Sequence, residues 1–130
     1  MRAPTQALTP MLVLAALMIS LAAGAANAQA SGNDMLNPCR DLILPTPPGK
    51  VRPPHEIVIS GTCVGIVEAL AYVGRDLPEP RKSCVPAGSA RGEPFSVVIS
   101  YLVSHRDRLN ERFMDLVIAA LAEKWPCPKP

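Results

Sequence analysis

The chain has 130 residues and a formal net charge of +2, enough for one small domain and too balanced to hold a polyanion by charge alone. No basic tract or basic amphipathic face breaks that balance, which excludes nucleic acid as a partner. Four cysteines and 15 prolines predict instead a loop-rich domain held by covalent staples.

The chain opens with Arg2, followed by the charge-free apolar run Met11–Ala26 and the small-residue triplets Ala26-Asn27-Ala28 and Ala28-Gln29-Ala30. That order is a secretory signal peptide over residues 1–28, cut after Ala28 or after Ala30. The run is about as long as a short spanning helix, so an N-terminal anchor is the competing reading. Its Ala- and Gly-rich second half and the small residues at the cut favour removal. The mature chain, residues 29–130, is then a single exported domain with no membrane segment. Loss of Arg2 leaves twelve basic against eleven acidic side chains.

Ser31–Leu42 allows one short helical turn around Met35 and Leu36, which Pro38 is expected to limit because it lacks an amide proton and crowds the preceding turn. Five prolines between Ile43 and Pro54 make the next stretch an extended connector. Ile57, Val58 and Ile59 favour strand by propensity, which leaves the start of this stretch open between strand and helix. From Thr62 onward helix wins: Cys63, Ile66, Val67, Leu70 and Val73 share one face, Ser60 or Thr62 can cap it, and Gly74 can end it. Gly61 and Gly65 suggest close approach of another backbone.

A long loop from Gly74 to Gly92 carries Arg75, Asp76, Arg81, Lys82 and Cys84. Phe95, Val98, Ile99, Leu102 and Val103 then mark a second amphipathic helix, with Pro94 at its first position. After the polar turn His105–Glu111, a third runs to Trp125. Leu109, Phe113, Leu116, Val117, Ala120 and Leu121 form its apolar face, and Pro126 stops it. The fold class is all-α, three to five helices joined by proline-rich loops.

An even cysteine count in a small exported domain reads as two disulfides. The last two helices, joined by a short turn, are antiparallel neighbours, so the end of one lies near the start of the other. That places Cys127 beside Cys84 and leaves Cys39 for Cys63. No CxxC is present, and neither His55 nor His105 has a ligand partner at zinc-finger spacing, so no metal is expected. With the thiols consumed, no serine in a nucleophile-elbow sequence and no phosphate-binding glycine loop, no enzyme and no cofactor are expected. Glu68 stands in an apolar run, but helical phase puts it beside the buried stripe. His105 suits a helix C-terminus, where a cation meets the dipole.

These motifs share an order: Cys39; Cys63 with Gly65; Cys84-Val85-Pro86; Tyr101-Leu102 with His105; Ala119-Ala120-Leu121; and Trp125-Pro126-Cys127. The order resembles the Tai/Rap family of immunity proteins. It departs from the family at Pro38, at Ile66 and Glu68-Ala69 where an aromatic and a glycine are usual, and at Arg106 in place of proline. The resemblance implies a non-catalytic periplasmic protein that protects its bearer from a peptidoglycan amidase toxin of type VI secretion. Such proteins often form homodimers and block the toxin's Cys–His cleft with a protruding segment. Two segments qualify here. One is the turn Ser104, His105, Arg106, Asp107 and Arg108; the other is the Gly74–Gly92 loop. The turn is preferred because it concentrates charge between two firm helices. Other readings are a periplasmic acid-stress chaperone, an envelope hydrolase, or a structural subunit of an envelope complex.

Overall fold

The computed structural model describes residues 29–90 and 92–129. The expected signal peptide, residues 1–28, lies outside them. The described chain is all-α: α1 (Gly32–Ile43), α2 (Pro54–Val73), α3 (Glu93–Ser104) and α4 (Phe113–Lys124), with 3-10 turns at Gly74–Asp76 and Arg106–Arg108. No β-strand occurs among the described residues; a single antiparallel bridge joins Ser31 to Arg112.

Helix α1 is longer than expected and runs straight through Pro38. A proline inside a helix removes a hydrogen bond and costs roughly 3 kcal/mol, so the helix must be supported from outside. Its start is fixed by a capping box, in which the Asp34 amide donates to Ser31 Oγ while the Asp34 carboxylate accepts from the Ser31 amide at 2.8 Å. Two further orphan amides of the first turn find partners across the molecule: Gly32 N–H donates to Glu111 O (3.1 Å) and Asn33 N–H to Leu109 O (2.9 Å). On either side of the proline Met35 and Cys39 are buried, and Ser60 Oγ donates to the Pro38 carbonyl at 3.2 Å.

Helix α2 also corrects the reading of its first turns. Ile57, Val58 and Ile59 are helical, not strand, because Pro53 and Pro54 open the helix upstream of them and Pro54 fits the first helical position. Ser60 and Thr62 therefore lie inside the helix and cap nothing; Thr62 Oγ1 donates back to Val58 O at 3.1 Å. Cys63, Val67 and Leu70 are buried as the stripe predicts, with Ile66 packed at its edge, whereas Val73 is exposed. A Cβ added at Gly61 or Gly65 would meet nothing within 4 Å, so these glycines serve no approach within the described chain. Gly74 is the C-cap, and glycine suits it because another chain segment comes close. A Cβ there would meet Ser83 Oγ at 2.1 Å and Ser83 O at 3.2 Å.

On α3, Tyr101 rather than Val103 completes the buried face with Val98, Ile99 and Leu102. Pro94 occupies the second position, after Glu93. On α4 the apolar stripe is buried throughout, joined by Ile118, and Leu109 reaches the same core from the preceding turn. The core lies where the four helices meet, α1 against α2 and α3 against α4.

Two disulfides lock this arrangement. Cys39–Cys63 ties α1 to α2 (Cα–Cα 5.6 Å), and Cys84–Cys127 ties the long loop to the segment after α4 (5.0 Å). The second bond is accompanied by a Cys84 N–H to Trp125 O hydrogen bond of 2.8 Å.

Candidate functional site

The turn between α3 and α4 is built on Tyr101. One helical turn below the end of α3, its ring stacks under His105, with centroids 4.0 Å apart. His105 is the C-cap, and its Nδ1 lies 2.9 Å from the Tyr101 carbonyl. A carbonyl only accepts, so Nδ1 carries the proton and Nε2 is the acceptor of the neutral ring. Ser104 Oγ donates to Ser100 O at 2.9 Å, adding a second closure of the helix end.

Arg108 completes the base. Its Nε and Nη2 donate to the two carboxylate oxygens of Glu111, each at 2.7 Å, while Nη1 donates to the Tyr101 hydroxyl. This fork-to-fork geometry is the strong form of an Arg–carboxylate pair. Hydrogen bonding to Glu111 raises the guanidinium above its ordinary range, and the same contact holds the Glu111 carboxyl below the usual carboxylate range. Burial raises the Tyr101 phenol, with Arg108 acting in the opposite sense. All three groups keep one charge state through the physiological range.

Of the five residues proposed from sequence, Ser104, His105 and Arg108 are therefore committed to holding the turn's shape. Arg106 and Asp107 are exposed at its tip, on a 3-10 turn. Sequence reasoning missed Tyr101 and Glu111 as parts of this unit. Their signal was the spacing: Tyr101 lies one helical turn before His105, and Glu111 three residues after Arg108. A groove of about 500 Å³ runs from the turn along α3 and α4, sharing Tyr101 and Ser104 with it and lined further by Ser96, Ser100 and Glu123.

The Gly74–Gly92 loop is held differently. Ser83 N–H donates to Gly74 O at 3.0 Å, and Arg81 lies 3.6 Å from Asp115, which also accepts from Arg112 Nε at 2.6 Å. Arg81 is thereby drawn toward α4, whereas Arg75 and Asp76 remain exposed just past α2. Glu68 is exposed on α2, with no buried acid function. Among the described residues no cluster of three or more His, Cys, Asp or Glu side chains is placed to hold a metal ion.

A stapled four-helix domain with one rigid charged tip is a scaffold for binding, and comparison with known families gives it a place. The Rap1a immunity proteins match residues 31–127. The chain belongs to this family. The match starts at the Ser31 cap and ends at Cys127, so it takes in both disulfides and the braced turn. No curated protein and no solved structure matches the chain. As a member of the Rap1a family it is an immunity protein, whose work is to engage an effector.

Proposed function

We propose that this Rap1a-family protein is exported to the periplasm and neutralises a peptidoglycan amidase effector of type VI secretion, without catalysis of its own, by seating the Arg106–Asp107 tip in the amidase's active-site cleft. The observation that carries the reading is the division of labour in the turn. Tyr101, Arg108 and Glu111 spend their side-chain polar groups on one another and His105 Nδ1 closes on the Tyr101 carbonyl, while Arg106 and Asp107 are exposed beside them. A loop already ordered before binding loses little conformational freedom on docking, and that saving appears as affinity. The family match supports an effector partner, and the sequence resemblance supports an amidase. Two disulfides fit an oxidising compartment.

The test is co-purification and calorimetry of the mature protein with peptidoglycan amidase effectors of type VI secretion. Tight stoichiometric binding is expected, with inhibition of peptidoglycan cleavage. The double reversal Arg106→Glu with Asp107→Arg should weaken binding at least tenfold, since a mispaired interfacial charge costs on the order of 2–5 kcal/mol. Unchanged circular dichroism would show that the fold survives. Undiminished inhibition by the reversed variant would remove the tip from the interface.

A further inference from the structure

Three serines of α3, Ser96, Ser100 and Ser104, stand at steps of four and so form one row along the helix. The row borders α4 at Ala120, another small residue. Packed helices fill the space between them with side chains. Here small residues face small ones, and the groove of about 500 Å³ is what remains. Tyr101 and Ala120 are buried in its lining, while the three serines and Glu123 are exposed along it.

The polar groups of this groove are mostly acceptors. Ser96 Oγ donates to Gly92 O at 3.1 Å, and Ser104 Oγ to Ser100 O at 2.9 Å. A hydroxyl that has given its hydrogen to its own helix offers the groove only lone pairs, and an ionised carboxylate likewise only accepts. Glu93, which also borders the groove, has a local reason for its place, since an acid suits the first turn of a helix. Glu123 has none. It lies in the last turn of α4, where the helix dipole disfavours a carboxylate. The ion pairs among the described residues are Arg81–Asp115, Arg108–Glu111 and Arg112–Asp115, so Glu123 belongs to none of them. Lys124 is the groove's own cation, but it is equally unpaired and stands at the helix end that favours a positive charge. Glu123 is also close enough to act on the base of the tip. The Tyr101 phenol, raised mainly by burial and lowered by Arg108, is pushed up further by Glu123 and by Asp107.

A row of acceptors calls for a row of donors. The serines recur about every 6 Å along the helix axis. In an extended chain the N–H groups on one edge recur every second residue, about 6.6 Å apart. Over three serines the two repeats drift by only about 1 Å, so an extended segment can meet successive hydroxyls with its backbone donors. A lysine or arginine on that segment would give Glu123 the partner it lacks, and the arginine fork suits a carboxylate best. Arg108 does not repel such a cation, because Glu111 neutralises it.

We infer that the groove between α3 and α4 is a second contact for the effector, taking an extended segment that carries a lysine or arginine from beside the effector's cleft. The inference rests on the proposal that the tip engages the effector, and it carries that interface along the groove through the shared residues Tyr101 and Ser104. The test is calorimetry of the mature protein with a peptidoglycan amidase effector of type VI secretion. Ser100→Trp fills the groove, and Glu123→Lys reverses its unpaired acid. Each should weaken binding about tenfold or more with circular dichroism unchanged. Glu123→Gln keeps the size and should lose less, with an effect that shrinks as salt rises. A benzophenone attached at Ser100→Cys should crosslink to the effector on a peptide that contains lysine or arginine. If Ser100→Trp and Glu123→Lys bind undiminished while the Arg106/Asp107 reversal weakens binding, the groove proposal falls and the tip reading stands. If no amidase effector binds the parent protein, both fall. A crosslink to a segment without lysine or arginine, or to peptidoglycan instead of the effector, also overturns the groove proposal.

Discussion

Removing the disulfides one at a time should separate two sources of stability that act in opposite order here. The Cys84–Cys127 bond closes a longer loop, with a sequence separation of 43 against 24 for Cys39–Cys63. By chain entropy alone the longer loop contributes about 4 kcal/mol and the shorter about 3.5 kcal/mol. That gap of about 0.5 kcal/mol is set against burial. Cys39 and Cys63 are both 0% exposed in the core, whereas Cys84 and Cys127 are half-buried. Truncating two buried sulfurs to alanine forfeits about 0.8 kcal/mol of transfer free energy each, taking a sulfur as equal to one CH₂. The cavity left behind adds to that loss. Burial therefore outweighs loop length. The double variant Cys39→Ala/Cys63→Ala should lose about 5 kcal/mol, and Cys84→Ala/Cys127→Ala about 4 kcal/mol. The assay is urea denaturation followed by circular dichroism. Equal or reversed losses would show that constraint of the unfolded chain dominates and that the buried pair collapses without a cavity. The second variant has its own signature. Protease should cut it first between Leu77 and Ala90, because the bond that holds this loop to the chain beyond α4 is gone.

Gly74→Ala should destabilise by about 1–3 kcal/mol through overpacking against Ser83, which for a domain of this size lowers the melting temperature by roughly 4–8 °C per kcal/mol. Adding Ser83→Ala, which removes the atom at 2.1 Å, should recover part of the loss in a double-mutant cycle, and strict additivity would refute the steric account. The capping box predicts a pH dependence. Hydrogen bonds from Ser31 hold the Asp34 carboxyl below its ordinary range, so its contribution is complete above about pH 4 and fades as pH falls through the lower folded value. Ser31→Ala should thus lower the melting temperature at pH 7, and the difference should shrink as Asp34 protonates at low pH without vanishing, because the Asp34 amide still donates to Ser31 Oγ. Arg108→Lys keeps the charge but loses the fork to Glu111, so amide exchange in the Arg106–Leu109 turn should accelerate while the helices stay protected.

Helices whose apolar stripe meets the core along its whole length were legible from sequence, and α4 shows why. Every residue of its stripe is buried, so helical spacing alone found its inner face. Helix α2 defeated the same reasoning at its start. Ile57, Val58 and Ile59 are β-branched and exposed, so three consecutive apolar residues there mark no single buried face. Helix α1 failed for the opposite reason. Its local sequence, broken by Pro38, argues against helix, and it forms because distant groups complete it: Leu109 and Glu111 at its first turn, Ser60 and Cys63 near the proline. The turn was legible as a charged segment but not as a mechanism, since five polar residues in a row do not reveal which are committed to each other. Tyr101 decides that. Buried on α3, it supports His105 through its ring and Arg108 through its hydroxyl. Only Arg106 and Asp107 are left at the tip, and a partner that recognises this turn must read those two charges rather than all five residues.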